Sequence, residues 1–148
     1  MKTIWVDADA CSRESRRITL RLAKYYRFDT YLVANHALAI RESDTVKVIV
    51  CSKEKNAADD YISVHIDADD IAICRDIELI QLLLKKGAFV LNDRGKIYTR
   101  EDIEYDVLRR NRAHMVHTQL GMVSKGKNKK KQSYSKEFSH SLQLLLKN

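Results

Sequence analysis

The sequence predicts an α/β domain whose sheet is mostly parallel and covered by helices on both faces. Three observations carry that expectation. Short apolar, β-branched runs alternate with longer stretches in which apolar residues recur at helical spacing, so strands and helices alternate along the chain. The connections between successive runs are long enough for the crossovers that parallel neighbours require, and such crossovers are right-handed. The first run, Ile4-Trp5-Val6, stops abruptly at Asp7 and Asp9, as a buried strand does when it delivers side chains to the rim of a sheet.

Thr3–Val6 reads as the first strand. Ser12 then opens a helix, being a residue type that satisfies the free N–H groups of a first turn. Ile18, Leu22 and Tyr25 or Tyr26 form the inner stripe of that helix, and Arg13, Arg16, Arg17 and Lys24 fall mostly on its outer side. A second strand starts at Asp29, runs through Tyr31–Ala34 and ends at Asn35-His36; Val46–Cys51 is a third, rich in β-branched residues. Ala57–Val64 suits a second helix. Ile71–Cys74 is a fourth strand, followed by Arg75-Asp76-Ile77-Glu78. Ile77, Ile80, Leu83 and Leu84 line one side of the next helix, which ends at Lys86-Gly87. Phe89–Leu91 is the fifth and last expected strand. After a turn at Asn92–Gly95, Ile97–Thr99 leads into a helix holding Ile103, Val107, Arg110 and Met115. Gly121–Lys131 has the composition of a loop, and Phe138, Leu142, Leu145 and Leu146 make the stripe of a closing helix that should dock on the body. The organisation expected is therefore an α/β domain over 1–121, a basic loop over 122–133 and a packed C-terminal helix over 134–148.

A chain of 148 residues accommodates one domain with a real core. No apolar run approaches the roughly 20 residues that cross a bilayer, and the apolar stretch before Asp7 is too short for a signal peptide, so no membrane partner and a cytoplasmic location are expected. Cys11, Cys51 and Cys74 are spaced for neither a disulfide framework nor a zinc site. Cys11 follows the acids at a helix start, where the dipole favours a thiolate and the carboxylates oppose it; packing is its expected role. The charge is lopsided: residues 1–93 carry 14 Lys and Arg against 15 Asp and Glu, residues 94–148 carry 13 against 5. A basic arm on a neutral body suits a polyanion, nucleic acid before membrane, and also suits a solvated solubility tail.

Trp5-Val6-Asp7-Ala8-Asp9-Ala10-Cys11, Val33-Ala34-Asn35-His36, the stretch from Asp70 to Asp76, and Leu91-Asn92-Asp93-Arg94-Gly95 followed by Tyr98-Thr99 occur in an order that resembles the YaiI/YqxD family of bacterial proteins. The likeness runs through most of residues 3–121, with a weaker echo at Lys125-Gly126, Phe138 and Leu142. That resemblance implies a PIN-like α/β/α fold, and with it a metal-dependent nuclease acting on RNA. Ser12, Asp93 and Glu78 stand where the family usually has proline. Glu54-Lys55-Asn56 stands where it has Gly-x-Asp, so an amide replaces an acid able to ligate metal, while Asp59 matches the acid that follows.

If Asp7 and Asp9 lie on extended chain they share a direction, and two like charges so close call for a cation between them. If the first and fourth strands flank the point where strand order reverses, Asp7, Asp9, Asp76 and Glu78 converge there. Phosphodiester hydrolysis by hard divalent cations needs such oxygen ligands, which makes Mg²⁺ or Mn²⁺ the expected cofactor. Asp7, Asp9 and Asp76 form the candidate catalytic and metal-ligating set, with Asp59 and Glu78 as further ligands. The same acids also suit helix-capping loops, and Asp59 with Asp60 suits the first turn of a helix. Asn35 and His36 are candidate substrate contacts. Arg94 and Arg110 match phosphate geometry, and Lys125 and Lys127 would add sequence-independent phosphate contacts. Two rivals stand beside the nuclease: a non-catalytic RNA-binding module, and a haloacid-dehalogenase-type phosphatase suggested by Asp-x-Asp but lacking the Gly-Thr that usually follows.

Overall fold

The computed structural model describes residues 2–104, 108–109 and 133–147. Six strands form one sheet in the order β3-β2-β1-β4-β5-β6. β1 (Thr3–Asp7), β2 (Asp29–Ala34), β3 (Val46–Val50), β4 (Ile71–Ile73) and β5 (Phe89–Leu91) are parallel, and β6 (Ile97–Tyr98) returns antiparallel on β5. Strand order reverses between β1 and β4, which pair directly with Val6 opposite Ile73. That is the crevice at which ligands of open α/β sheets bind.

Period-two alternation sorts the side chains into two cores. Ile4, Val6, Leu32, Ala34, Ile71, Ile73 and Leu91 face one layer, made by α1 (Arg13–Tyr26) and the C-terminal helix α4 (Ser135–Lys147). Trp5, Val33, Ala72, Cys74 and Val90 face the other, made by α2 (Ala57–His65), α3 (Ile77–Lys85) and a helical segment whose described residues 100–104 bury Ile103. The result is a three-layer α/β/α fold, consistent with a PIN-like architecture. Phe138, Leu142, Leu145 and Leu146 are all buried, so the stripe on α4 docks on the sheet beside α1.

Local chemistry explains the element ends. Ser12 caps α1, its Oγ accepting from the Ser15 N–H at 3.2 Å, and Asp76 caps α3, its Oδ1 accepting from the Leu79 N–H at 3.0 Å. Thr99 and Asp102 exchange hydrogen bonds at the start of the helical segment that follows β6. Gly95 takes φ +94° in the turn after β5, and a Cβ there would sit 2.6 Å from the carbonyl carbon of Glu137, so only glycine lets α4 approach.

Three expectations change. The sheet has a sixth strand, too short at two residues to leave a periodic signal. The chain does not stay extended past Asp7 but closes a 3₁₀ turn over Ala8–Ala10. The third and fourth strands end one residue earlier than expected, at Val50 and Ile73. The boundary at residue 121, the loop over Gly121–Lys131, and Val107, Arg110 and Met115 lie outside the described residues.

Candidate functional site

Asp7 is the last residue of β1 and shares the parity of Trp5, so its carboxylate turns toward the α2 and α3 layer. It is 7% exposed. Asp59, in the first turn of α2, comes close enough for its charge to act directly on Asp7. Asp76 arrives from the end of β4. Burial, then the charges of Asp59 and Asp9, with a smaller contribution from Asp76, push the Asp7 carboxyl from the ordinary 3.8 up to about 7. The carboxyl of Asp59 also rises, through burial and then through Asp76 and Asp60. The Asp9 backbone N–H offsets part of the rise at Asp7, and neither ion pair among the described residues involves Asp7. Behind the acids, burial and then Asp7, Asp59 and Asp76 hold the Cys74 thiol well above its usual range. Three carboxylates distant in the chain thus share one electrostatic cluster at the switch point. Asp59 and Asp76, with Asn56, Asp60 and Glu78, line a depression of about 80 Å³ on the adjoining surface.

Asp9 goes elsewhere. Because the 3₁₀ turn breaks the period-two alternation, Asp7 and Asp9 do not share a strand face, contrary to the sequence expectation. Asp9 Oδ2 accepts from the Asn35 N–H at 3.1 Å, and its Oδ1 lies 3.2 Å from His36 Nδ1, which also lies 3.0 Å from Asn35 Oδ1. Asp9, Asn35 and His36 therefore form one unit at the end of β2, coupled to Asp7 through charge.

The basic candidates separate from this edge. Arg94 lays its guanidinium over the Tyr134 ring at 5.0 Å and lines a different cavity, of about 230 Å³, together with Ser12, Glu14, Arg75 and Asp93. Arg110, Lys125 and Lys127 lie outside the described residues. Cys11 is buried, and burial followed by the Asp93 charge pushes its thiol up to about 12, which makes it an inert packing residue.

Two buried acids escaped the sequence reading. Asp93 receives Arg75 Nε at 2.7 Å and Nη2 at 2.6 Å, and also the Ser12 N–H at 3.0 Å, while its carbonyl takes the Ser15 hydroxyl at 2.8 Å. Ser12 and Asp93 both replace prolines of the family pattern, and here the N–H that a proline lacks is the donor the aspartate receives. The available signal was a charged residue inside a turn between an apolar strand and a glycine. Asp70, at the opposite end of the sheet, accepts from the Thr3 N–H at 2.9 Å, Trp5 Nε1 at 3.2 Å and the Asp67 N–H at 2.9 Å. It ties β4 to the start of β1.

Carboxylates are hard oxygen donors, and a crowded acidic cluster without a counter-charge suits a hard divalent cation. Asp7, Asp59 and Asp76 fit that chemistry. Among the described residues no three His, Cys, Asp or Glu side chains already stand in ligating geometry, so the cluster is a donor set rather than a finished cage. Asp76 keeps one oxygen on its helix cap and has the other for a ligand.

Comparison with known proteins agrees with the sequence motifs. The family model described as uncharacterised, YaiI/YqxD, matches residues 5–148. A UPF0178 protein of Psychromonas ingrahamii is 33% identical over 140 residues, covering 95% of this chain and 92% of its own. Another, of Marinomonas sp., is 39% identical over 101 residues, 68% of each chain, and one of Treponema denticola is 37% identical over 108 residues, 73% of this chain and 68% of its own. No solved structure gives a significant match. Among the described residues no helix is long and apolar enough to cross a membrane. With the family model spanning nearly the whole length, the chain belongs to the YaiI/YqxD family.

Proposed function

We propose that this protein is a Mg²⁺- or Mn²⁺-dependent nuclease acting on RNA, with Asp7, Asp59 and Asp76 as the central acids, Glu78 at the outer edge and Asp9 in a supporting position. The observation that carries the reading is the convergence of three carboxylates at the β1–β4 switch point, with Asp7 buried and none of the three in an ion pair among the described residues. When bound, the divalent ion supplies water activation and charge stabilisation for phosphodiester hydrolysis. The chain supplies the rest. Asp7 stands on the central strand, so its carboxylate position is set by the sheet. Asp76 is fixed by its cap on Leu79, and Asp59 by the first turn of α2. Without the ion, the crowding of Asp7 and Asp59 raises both carboxyls and so favours protonation of the cluster. Asp9 pins the Asn35-His36 loop, leaving the half-exposed imidazole to face a phosphate.

The test is cleavage of an end-labelled single-stranded RNA with Mn²⁺, wild type beside Asp7→Asn. Loss of about a hundredfold or more in the variant is expected, together with loss of the Mn²⁺ binding heat measured by calorimetry. No cleavage by wild type, or equal heats from the two proteins, removes the proposal. A second reading, an RNA-binding module without catalysis, is favoured by Asn56 at the usual acid position and by the lack of a finished three-donor group among the described residues. It predicts RNA binding without cleavage at any Mn²⁺ concentration. The phosphatase reading fares worse, because the later acidic pair Asp69-Asp70 lies at the start of β4, where Asp70 is occupied by three backbone and indole donors.

A further inference from the structure

The acidic edge is one side of the switch point; the other side carries an unpaired row of arginines. Arg13, Arg16 and Arg17 of α1 border a cavity of about 600 Å³ whose far wall is His36, Leu38 and Ile40 from the β2–β3 connection. Leu38 and Ile40 are half-buried and packed on the core, so that wall is apolar and anchored. Among the described residues neither ion pair involves an arginine of α1. Arg16 is the most telling of them: its Nε is shielded from solvent and has no acceptor. A shielded donor without a partner is costly, and a charge-assisted bond from an anionic oxygen is the strongest remedy.

A second cavity, of about 690 Å³, lies on the other side of α1, between it and α4. It is lined by Arg17, Arg21, Lys136 and His140, with Glu14 as its one acid. Arg17 borders both cavities, so the cationic surface continues over the ridge of the helix. An apolar wall opposite guanidinium groups in the first cavity, continued by a second that is polar and cationic, suits a chain of phosphates with an attached base better than a single anion. A lipid surface would call for an exposed apolar face beside the cations, whereas Leu38 and Ile40 form a half-buried wall recessed behind the arginines.

We infer that the α1 face, from the His36 loop across Arg13, Arg16 and Arg17 to α4, is a binding track for a single nucleic-acid strand, with the cavity beside Arg16 seating one nucleotide. It shares its partner with the nuclease reading but none of that reading's chemistry, since it requires no metal ion and no acid. His36 joins the two sites, lining the cavity while held by Asp9.

The experiment is fluorescence anisotropy of labelled oligouridylate and oligothymidylate in EDTA, at salt concentrations between about 50 and 200 mM. Binding that weakens with salt is expected. Arg13→Ala with Arg17→Ala, both at exposed positions, should weaken it roughly tenfold or more and flatten the salt slope by about one to two units. Arg16→Lys, which keeps the charge and removes Nε, should weaken it severalfold. Leu38→Ser should weaken the oligonucleotides and leave inorganic polyphosphate unchanged, which separates a nucleotide seat from a mere anion patch. Wild-type affinity in the double arginine variant overturns the inference, as does equal loss of polyphosphate and oligonucleotide in Leu38→Ser. Cleavage of RNA without measurable binding in EDTA removes the track and leaves the nuclease; binding in EDTA without cleavage in Mn²⁺ removes the nuclease and leaves the track.

Discussion

Replacing Asp7 by asparagine should make the protein more stable at high pH, and the structure gives the size and sign of the effect. The carboxyl titrates near 3.8 in the unfolded chain and at about 7 in the fold. Between those values the native state holds a proton that the unfolded state has released, so stability falls as pH rises from about 4 to about 7. A difference of roughly three pKa units at about 1.4 kcal/mol each amounts to about 4 kcal/mol, undiminished by solvent because the group is buried. The Asp59 carboxyl, also raised, adds in the same direction. The amide introduced by Asp7→Asn is neutral at every pH and still able to donate to Asp59. Urea unfolding in EDTA should therefore give similar midpoints for wild type and Asp7→Asn at pH 4.5, and a higher midpoint for the variant at pH 8. Saturating Mn²⁺ at pH 8 should recover stability in wild type alone, by about 2.7 kcal/mol at a hundred times Kd. A wild-type midpoint indifferent to pH, or an equal slope in the variant, would refute the cluster as described.

Other perturbations test the scaffold. Asp93→Ala strands the Ser12 N–H and releases Arg75, so it should cost about 2–4 kcal/mol in urea unfolding at pH 7. Gly95→Ala sets a Cβ 2.6 Å from Glu137 at a φ that L-residues resist; about 2–4 kcal/mol should be lost, with hydrogen exchange rising first in α4. Asp70→Ala leaves three donors without their acceptor, should cost about 3 kcal/mol, and should shift the emission of Trp5, the single tryptophan, while α4 keeps its exchange protection.

How far such features could be read in advance depends on how local their causes are. The five parallel strands announce themselves because each is a β-branched or aliphatic run bounded by a helical stretch, a turn or a polar connection. β6 does not, since two residues make no period. Parity along β1 is enough to expect Asp7 at the rim, but the same rule misdirects Asp9, because a 3₁₀ turn over Ala8–Ala10 rotates it toward Asn35 and His36. Asp59 was readable as a helix first-turn acid and as a ligand at once; only the proximity of α2 to the end of β1 shows that it meets Asp7. The lock made by Ser12, Arg75 and Asp93 joins residues 81 positions apart and has no signature within any window of sequence.

The period of a strand also accounts for how charge is partitioned across this molecule. Val6 and Asp7 are adjacent, yet one faces the layer of α1 and the other the layer of α2 and α3. Basic residues that α1 turns away from the core thus lie across the sheet from the acids, and the two sets cannot neutralise each other. Left unpaired, the acids take up protons or cations and the arginines take up anions. The Asp9–His36 pair, placed at the rim by a turn that obeys neither period, borders both fields. On the proposed track, a nucleic-acid strand along α1 would reach the carboxylates over that pair. Asp9→Ala, which frees the Asn35-His36 loop and lifts one like charge from Asp7, should therefore reduce RNA cleavage and weaken binding in EDTA severalfold while the Mn²⁺ heat persists; a variant as active as wild type would mean the two charged faces act independently.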